Sequence, residues 1–447
     1  MLSVLRNRTY RRLFGAQLVA LTGTGLATVA LGLLAYDIAG ARAGSVLGTA
    51  LAIKMVAYVG IAPLVGALAD RLPRRALMIG SDLVRAAVAL SLPFVGEVWQ
   101  VYVLIFALQA ASAAFTPTFQ AVIPELLPEE RDYTRALSLS RLAYDLESLF
   151  SPALAAALLT FLSYDRLFLG TVGGFLASAV LVAAAALPKP APARREPGGV
   201  YARATAGSRL FLAVPRLRAL LCLNLAVAAA SAMVTVNTVV YVRGHLARGA
   251  GDVAFALGAY GAGSMAVALA LPRVLARVSD RTVMLRGAAA LSLVFGALGV
   301  LTSSAGGGWR WPALLVAWAA FGAACSMVLT PTGRVVRRSA LPEERSRAFA
   351  AQFSLSHACW LLTYPLAGWL GATAGLVAAV IALGLIAAGA ALAAARLWPA
   401  VEPDPAEHVH TGLEPGHPHL AGASRVTGGF RHRHCPVHHE PHTAFAG

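Results

Sequence analysis

Lys54, Asp82, Arg85, Arg141, Asp145 and Glu147 interrupt otherwise apolar stretches, and Asp37 closes another. In hydrocarbon such groups are costly and are kept for ion pairing, proton transfer or cargo binding. Their spacing sorts them. Asp82 and Arg85 are three apart and Arg141 and Asp145 four apart, so on helices each couple shares a face and pairs. Glu147 is two positions beyond Asp145, about 200° round a helix of 3.6 residues per turn, and faces elsewhere. It needs a partner from another segment, a proton or a cation; Lys54 is the candidate partner. His357 and Cys359, two apart, cannot both face one ion, and a lone intramembrane histidine is usually just hydrogen-bonded. Arg141, Asp145, Glu147, Lys54, Asp37 and His357 are the candidates for a functional ionisable site within the apolar segments.

A second set lies after Trp398. His408, His410, His417, His419, His432, His434, His438, His439 and His442 are nine of the eleven histidines, and Cys435 joins them. Neutral imidazole suits Ni, Cu, Zn and Co. The H-x-H and H-R-H-C-x-x-H-H spacings let a pliable chain wrap such ions. Pro, Gly and His dominate this stretch, so residues 399–447 are expected to be a disordered tail without a ligand.

The elements that position the first set are membrane helices. The chain of 447 residues is 58% hydrophobic and 13% charged, with mean hydropathy +0.67. An ordinary soluble domain has about 25% charged residues. Apolar runs at 13–36, 45–69, 76–96, 98–122, 135–163, 166–188, 217–242, 252–276, 282–304, 311–333, 346–371 and 374–398 are each about the 20 residues a bilayer crossing needs. The first continues to Tyr36 with no small-residue cleavage site, so it is expected to be a transmembrane helix and not a removed leader. With the N-terminus inside, the inner segments and their flanks carry 25 Lys+Arg and the outer loops five, namely Arg42, Arg166, Arg243, Arg248 and Arg310. That bias places both termini in the cytoplasm. The net charge of +16 is this bias, with 35 of 37 basic residues being Arg, and not a nucleic-acid stripe. Cys222, Cys325, Cys359 and Cys435 form no disulfide framework.

Two halves are implied. Thr116-Pro117-Thr118 precedes Leu127-Pro128-Glu129-Glu130-Arg131, and Thr330-Pro331-Thr332 precedes Leu341-Pro342-Glu343-Glu344-Arg345, at a constant offset of 214 residues. Each Thr-Pro-Thr is expected to weaken a helix near its inner end by removing a backbone donor, and each Pro-Glu-Glu suits a helix start. The halves run 1–188 and 217–398. Residues 189–216, rich in Pro, Gly and Arg, read as a flexible or surface-lying connector.

The stretch Gly66 to Arg75, GALADRLPRR, resembles the loop between the second and third helices of major facilitator superfamily transporters, with Pro73 where the family usually has Gly. Asp280-Arg281 is a degenerate echo of Asp70-Arg71. The resemblance implies an all-α membrane protein of twelve transmembrane helices in two pseudo-symmetric six-helix halves. It also implies that Gly66, Asp70, Arg71, Arg74 and Arg75 form a conformational loop. Gln109 stands where drug–proton antiporters of the family often carry Arg, and Ser151-Pro152 replaces their Gly-Pro. The N-terminal FGAQLVALTGTGLATVALGLLAYD, the fifth-span ALSLSRLAYDLESLFSP and the His-rich end are similar to bacterial nickel-resistance (NreB-type) exporters. That similarity implies proton-driven Ni²⁺ (or Co²⁺) efflux across the inner membrane, with Ni²⁺ as cargo and tail ligand. The alternatives are export of an organic solute, drug or siderophore, and a non-transporting metal sensor. No phosphate-binding loop, catalytic constellation, catalytic cofactor or obligate protein partner is read; lipid, protons and a divalent ion are the expected partners, with no nucleic acid.

Overall fold

A computed structural model describes residues 2–39, 43–68, 73–159, 161–188, 200–304, 306–341, 344–398, 407–410, 424–426 and 429–433. The first six long helices are α1 (Arg8–Ala39), α2 (Ala43–Leu68), α3 (Arg74–Ser91), α4 (Val98–Leu126), α5 (Glu130–Leu159) and α6 (Tyr164–Ala183). The second six are α8 (Pro215–Val239), α9 (Ala250–Val274), α10 (Asp280–Ser303), α11 (Arg310–Leu329), α13 (Arg345–Thr373) and α14 (Gly375–Leu397). A π turn, Val240–His245, extends α8. Each long helix coincides with one expected apolar run. Nine of the described helices are long and apolar enough to cross a membrane on those two criteria alone. The outward faces confirm the solvent: Leu293 is 75% exposed and Leu385 68%, where a water-soluble bundle would present charge.

Local chemistry sets the ends. Pro215 opens α8, where its missing N–H costs nothing. Ser279 caps α10, accepting from the Thr282 amide at 3.3 Å, and Asp280 follows in the first turn. Glu130 and Asp132 occupy the first turn of α5, favoured by the helix dipole.

Within each half the helices cross on small residues. A Cβ on Gly263 of α9 would come within 1.9 Å of the Ala319 carbonyl of α11, and one on Gly322 of α11 within 1.9 Å of the Tyr260 carbonyl. In the first half a Cβ on Gly174 of α6 would meet the Val19 carbonyl of α1 at 2.8 Å. Lipid supplies no hydrophobic drive between helices, so close backbone packing of this kind does. Between the halves, α2 packs on α13 and α5 on α9.

Three expectations are corrected. The connector, expected to be flexible or surface-lying, is not flexible over Val200–Ala213: these residues form helix α7, which packs on α2 of one half and α13 of the other and buries Phe211 completely. Its VYARATAGSRLFLA pattern is amphipathic, and the Pro-rich composition that disguised it is confined to residues 190–197. Thr-Pro-Thr breaks a helix in one half alone. α11 ends at Leu329 and a short α12 (Thr332–Ser339) resumes after Pro331, whereas Pro117 lies inside an unbroken α4. The tail, a separate compact unit from Trp398 to Gly447, holds three short strands where none was expected. They are β1 (Glu407–His410), β2 (Ser424–Val426) and β3 (Gly429–Arg433), antiparallel in the order β1-β3-β2. In the register of β2 and β3, Val426 pairs with Gly429.

Candidate functional site

The charged residues within the described long helices fall into three groups. On α5, Arg141 Nη2 lies 2.9 Å from Asp145 Oδ1, the expected i,i+4 pair. The pair is not closed on itself. Ser264 of α9 donates to Asp145 Oδ2 at 2.8 Å and accepts from Arg141 Nε and Nη2 at 3.1 and 3.0 Å. Ser264 is fully buried, so one hydroxyl of the second half completes an ion pair of the first. Glu147 faces away from this group, as its spacing requires, and lies within electrostatic reach of Lys54 on α2. Among the described residues neither Glu147 nor Lys54 forms an ion pair within 4 Å.

Lys54 begins a line of rings that crosses from one half to the other. Its Nζ stands 5.6 Å from the Tyr58 ring centre. Tyr58 meets His357 of α13 edge-on at 4.6 Å and Phe353 at 4.9 Å, and His357 meets Trp360 at 4.7 Å. Two polar ties fix the rings. The Tyr58 hydroxyl donates to Gln109 Oε1 of α4 at 2.7 Å, and His357 Nδ1 donates to the Phe353 carbonyl at 2.6 Å. The Trp360 indole nitrogen is buried with no acceptor among the described residues. Gln109, noted in sequence for replacing an arginine, is thus the anchor of Tyr58. His357 is held among aromatic rings, and Cys359 donates to the Leu355 carbonyl at 3.4 Å on its own helix. Among the described residues no three His, Cys, Asp or Glu gather closely enough to hold a metal ion.

A third buried pair is structural. Asp82 accepts from Arg85 and, at 2.7 Å, from Ser178 of α6. The Arg85 guanidinium is sandwiched between Phe115 and Phe175, 4.5 and 4.6 Å from the ring centres.

At the arginine-rich end of the bundle the halves are joined. Arg74 pairs with Glu125 at 2.7 Å and reaches Ser346 of the second half at 3.4 Å, and Arg75 donates to the Ala185 carbonyl. Asp70 and Arg71 lie outside the described residues; Gly66 lies in α2 near its end. The second half supplies a larger network that motif reading missed. Asp280 takes Arg334 Nε and Arg338 Nη1, each at 2.9 Å. Glu130 of the first half takes Arg334 at 3.1 Å, Arg338 at 3.5 Å and Arg337 at 3.8 Å. Arg337 also donates to the Pro128 carbonyl at 2.5 Å, and Arg334 to Thr134. The signal was present as TGRVVRR directly after Pro331, with three arginines on one short helix.

Asp37 lies in α1, but its side chain is outside the described residues. Of the tail ligands, His408, His410 and His432 lie in strands. His417, His419, His434, Cys435, His438, His439 and His442 lie outside the described residues.

The profile of the Major Facilitator Superfamily matches residues 13–311 and 220–434. The chain belongs to the major facilitator superfamily. Among superfamily members, an uncharacterized transporter of Bacillus subtilis (strain 168), YfiS, is 34% identical over 122 residues, 27% of this chain and 29% of that protein. Macrolide efflux protein A of Streptococcus pyogenes is 32% identical over 149 residues, 32% of this chain and 36% of that protein. The matched stretches thus span about a third of these superfamily relatives. The crystal structure of a bacterial homologue of the iron transporter ferroportin, in an outward-facing state, superposes with a TM-score of 0.71 at 13% identity, covering 87% of this chain and 99% of that one. At that identity the likeness concerns the superfamily fold alone.

Proposed function

We propose that this transporter is a proton-coupled exporter of an organic solute, working by alternating access with its cargo held mid-membrane against the ring line from Tyr58 to Trp360. The observation that carries the reading is that this line is built by both halves, α2 from one and α13 from the other. A cargo seated there feels every relative movement of the halves. Aromatic walls with a few placed polar groups are the chemistry of an organic-ligand site. Glu147, intramembrane and outside any ion pair among the described residues, is the proposed proton carrier. Arg141 and Asp145 are the second candidate site. The part-length similarity to a macrolide efflux protein agrees with export as the direction. Gly66, Asp70, Arg71, Arg74 and Arg75 are proposed to stabilise the state in which the arginine-rich end is shut. That state is outward-facing if, as the charge bias implies, this end faces the cytoplasm of a bacterial inner membrane. Reporter fusions at Arg166 and Ala400 test the orientation; the account expects outside and inside respectively.

Export of a divalent metal, Ni²⁺ before Co²⁺, is the second reading. The nine tail histidines favour it, and the gathering of His408, His410 and His432 into strands adds to it. Loss of the gene separates the two. Hypersensitivity to organic toxicants with unchanged nickel tolerance supports the first reading, and the reverse pattern supports the second.

A further inference from the structure

We infer that the cargo carries a negative charge on a flat apolar body, with Lys54 as the residue that receives the charge. The inference rests on the organic-solute reading and names the class of that solute. Lys54 and Lys189 are the only lysines in the chain, and every other basic residue is Arg. A lysine in the middle of α2 is therefore not part of the general arginine bias of the loops. It keeps a compact ammonium with three rotatable donors where an arginine would present a wide fork.

The Lys54 ammonium stands 5.6 Å from the Tyr58 ring centre, and Glu147, His357 and Tyr364 lie within its electrostatic reach. The one acid among them, Glu147, stays beyond 4 Å, so the ammonium holds no contact ion pair among the described residues. Tyr58 spends its hydroxyl on Gln109, and His357 spends Nδ1 on the Phe353 carbonyl. Among the described residues the buried Trp360 indole N–H at one end of the ring line has no acceptor, and the Lys54 ammonium at the other end makes no ion pair. A buried donor with no partner is destabilising, and a cargo offering an acceptor at that place relieves it. Between the donors lie Tyr58, Phe353 and His357, whose faces and edges suit a planar ring system.

The test uses one ring with three charges: 1-naphthoate, 1-naphthylmethylammonium and 1-naphthalenemethanol. Binding to the full-length protein in lipid nanodiscs is measured by titration calorimetry. The expected result is naphthoate bound at least about tenfold more tightly than the other two, since a charge-assisted hydrogen bond is roughly twice as strong as a neutral one. Lys54→Ala is expected to erase the preference, and Lys54→Arg to keep most of it. Trp360→Phe is expected to weaken naphthoate several-fold, leaving the order of the three probes intact. A preference for the ammonium or the alcohol, an unchanged preference in Lys54→Ala, or no binding of any probe overturns the inference. If the ammonium is preferred, or the toxicant assay above still shows organic export, the exporter reading stands and the assigned charge alone is wrong.

Discussion

The Ser264 hydroxyl donates to Asp145 Oδ2 across 2.8 Å, from α9 of one half to α5 of the other. The same hydroxyl accepts twice from Arg141. An i,i+4 pair that would be self-sufficient on one helix is thereby made to report on the position of the opposite half. Any movement that separates α5 from α9 must break three hydrogen bonds to one oxygen.

Ser264→Ala should leave folding intact, because the Arg141–Asp145 pair survives on α5. It should lower the stability of the state in which α5 and α9 are joined by about 1.5–3 kcal/mol, the range for a hydrogen bond to a charged group. Transport rates measured in proteoliposomes should change by about tenfold or more. Ser264→Thr, which keeps the hydroxyl, should change them less. Equal rates for wild type and Ser264→Ala would show the bond to be incidental.

Arg334 should control closure of the arginine-rich end. It touches Asp280 of its own half and Glu130 and Thr134 of the other. Breaking a buried pair costs about 3–5 kcal/mol, and Glu130 is 38% exposed, so solvent discounts the sum to on the order of 2–3 kcal/mol. Arg334→Gln should therefore move the population toward the open end by about 30–150-fold. Spin labels at the exposed Arg131 and Arg277, one on each half, report this as a longer distance in the variant. An unchanged distance distribution would mean that the remaining arginines suffice.

Helix α7 should tolerate no side chain at position 207. A Cβ there would stand 2.4 Å from the Arg347 carbonyl of α13. Gly207→Leu should force α7 off α13, costing about 1–3 kcal/mol in overpacking and lowering the melting temperature of the purified protein. Leu212→Ala, on the exposed side of the same helix, should be neutral within about 0.5 kcal/mol. Equal melting of Gly207→Leu and wild type would place α7 elsewhere.

The sequence located all twelve long helices because bilayer-length apolar runs and the arginine bias are one-dimensional signals. It also paired Asp82 with Arg85 and Arg141 with Asp145, since i,i+3 and i,i+4 spacing is local. It could not find Ser264, a small hydroxyl with no pattern of its own, nor the reach of Glu130 to three arginines some 200 residues on. Those relations exist only once two halves are folded together. The α7 helix was hidden by its neighbours' composition, and the tail strands by a bias in Gly, Pro and His that outweighs three short alternating segments.

The tail should bind metal without being required for organic transport. The register sets His408 opposite His432, and His410 lies two positions from His408 on the same strand. Such ligands must be deprotonated, so binding should fade as pH falls through the reference His value of about 6.5. Removing Pro403 to Gly447 should abolish most Ni²⁺ binding by the full-length protein at neutral pH and leave organic-solute transport within about twofold. Undiminished Ni²⁺ binding after truncation would place the ligands in the helical unit.

The central claim, proton-coupled export of an organic anion, is tested most directly in proteoliposomes that carry an imposed proton gradient. Flux of 1-naphthoate is followed beside flux of Ni²⁺, Co²⁺ and Zn²⁺, for wild type and for Glu147→Gln. The account predicts naphthoate flux that collapses when the gradient is dissipated and in Glu147→Gln, with no metal flux above protein-free vesicles. Gradient-driven Ni²⁺ flux without naphthoate flux would contradict it.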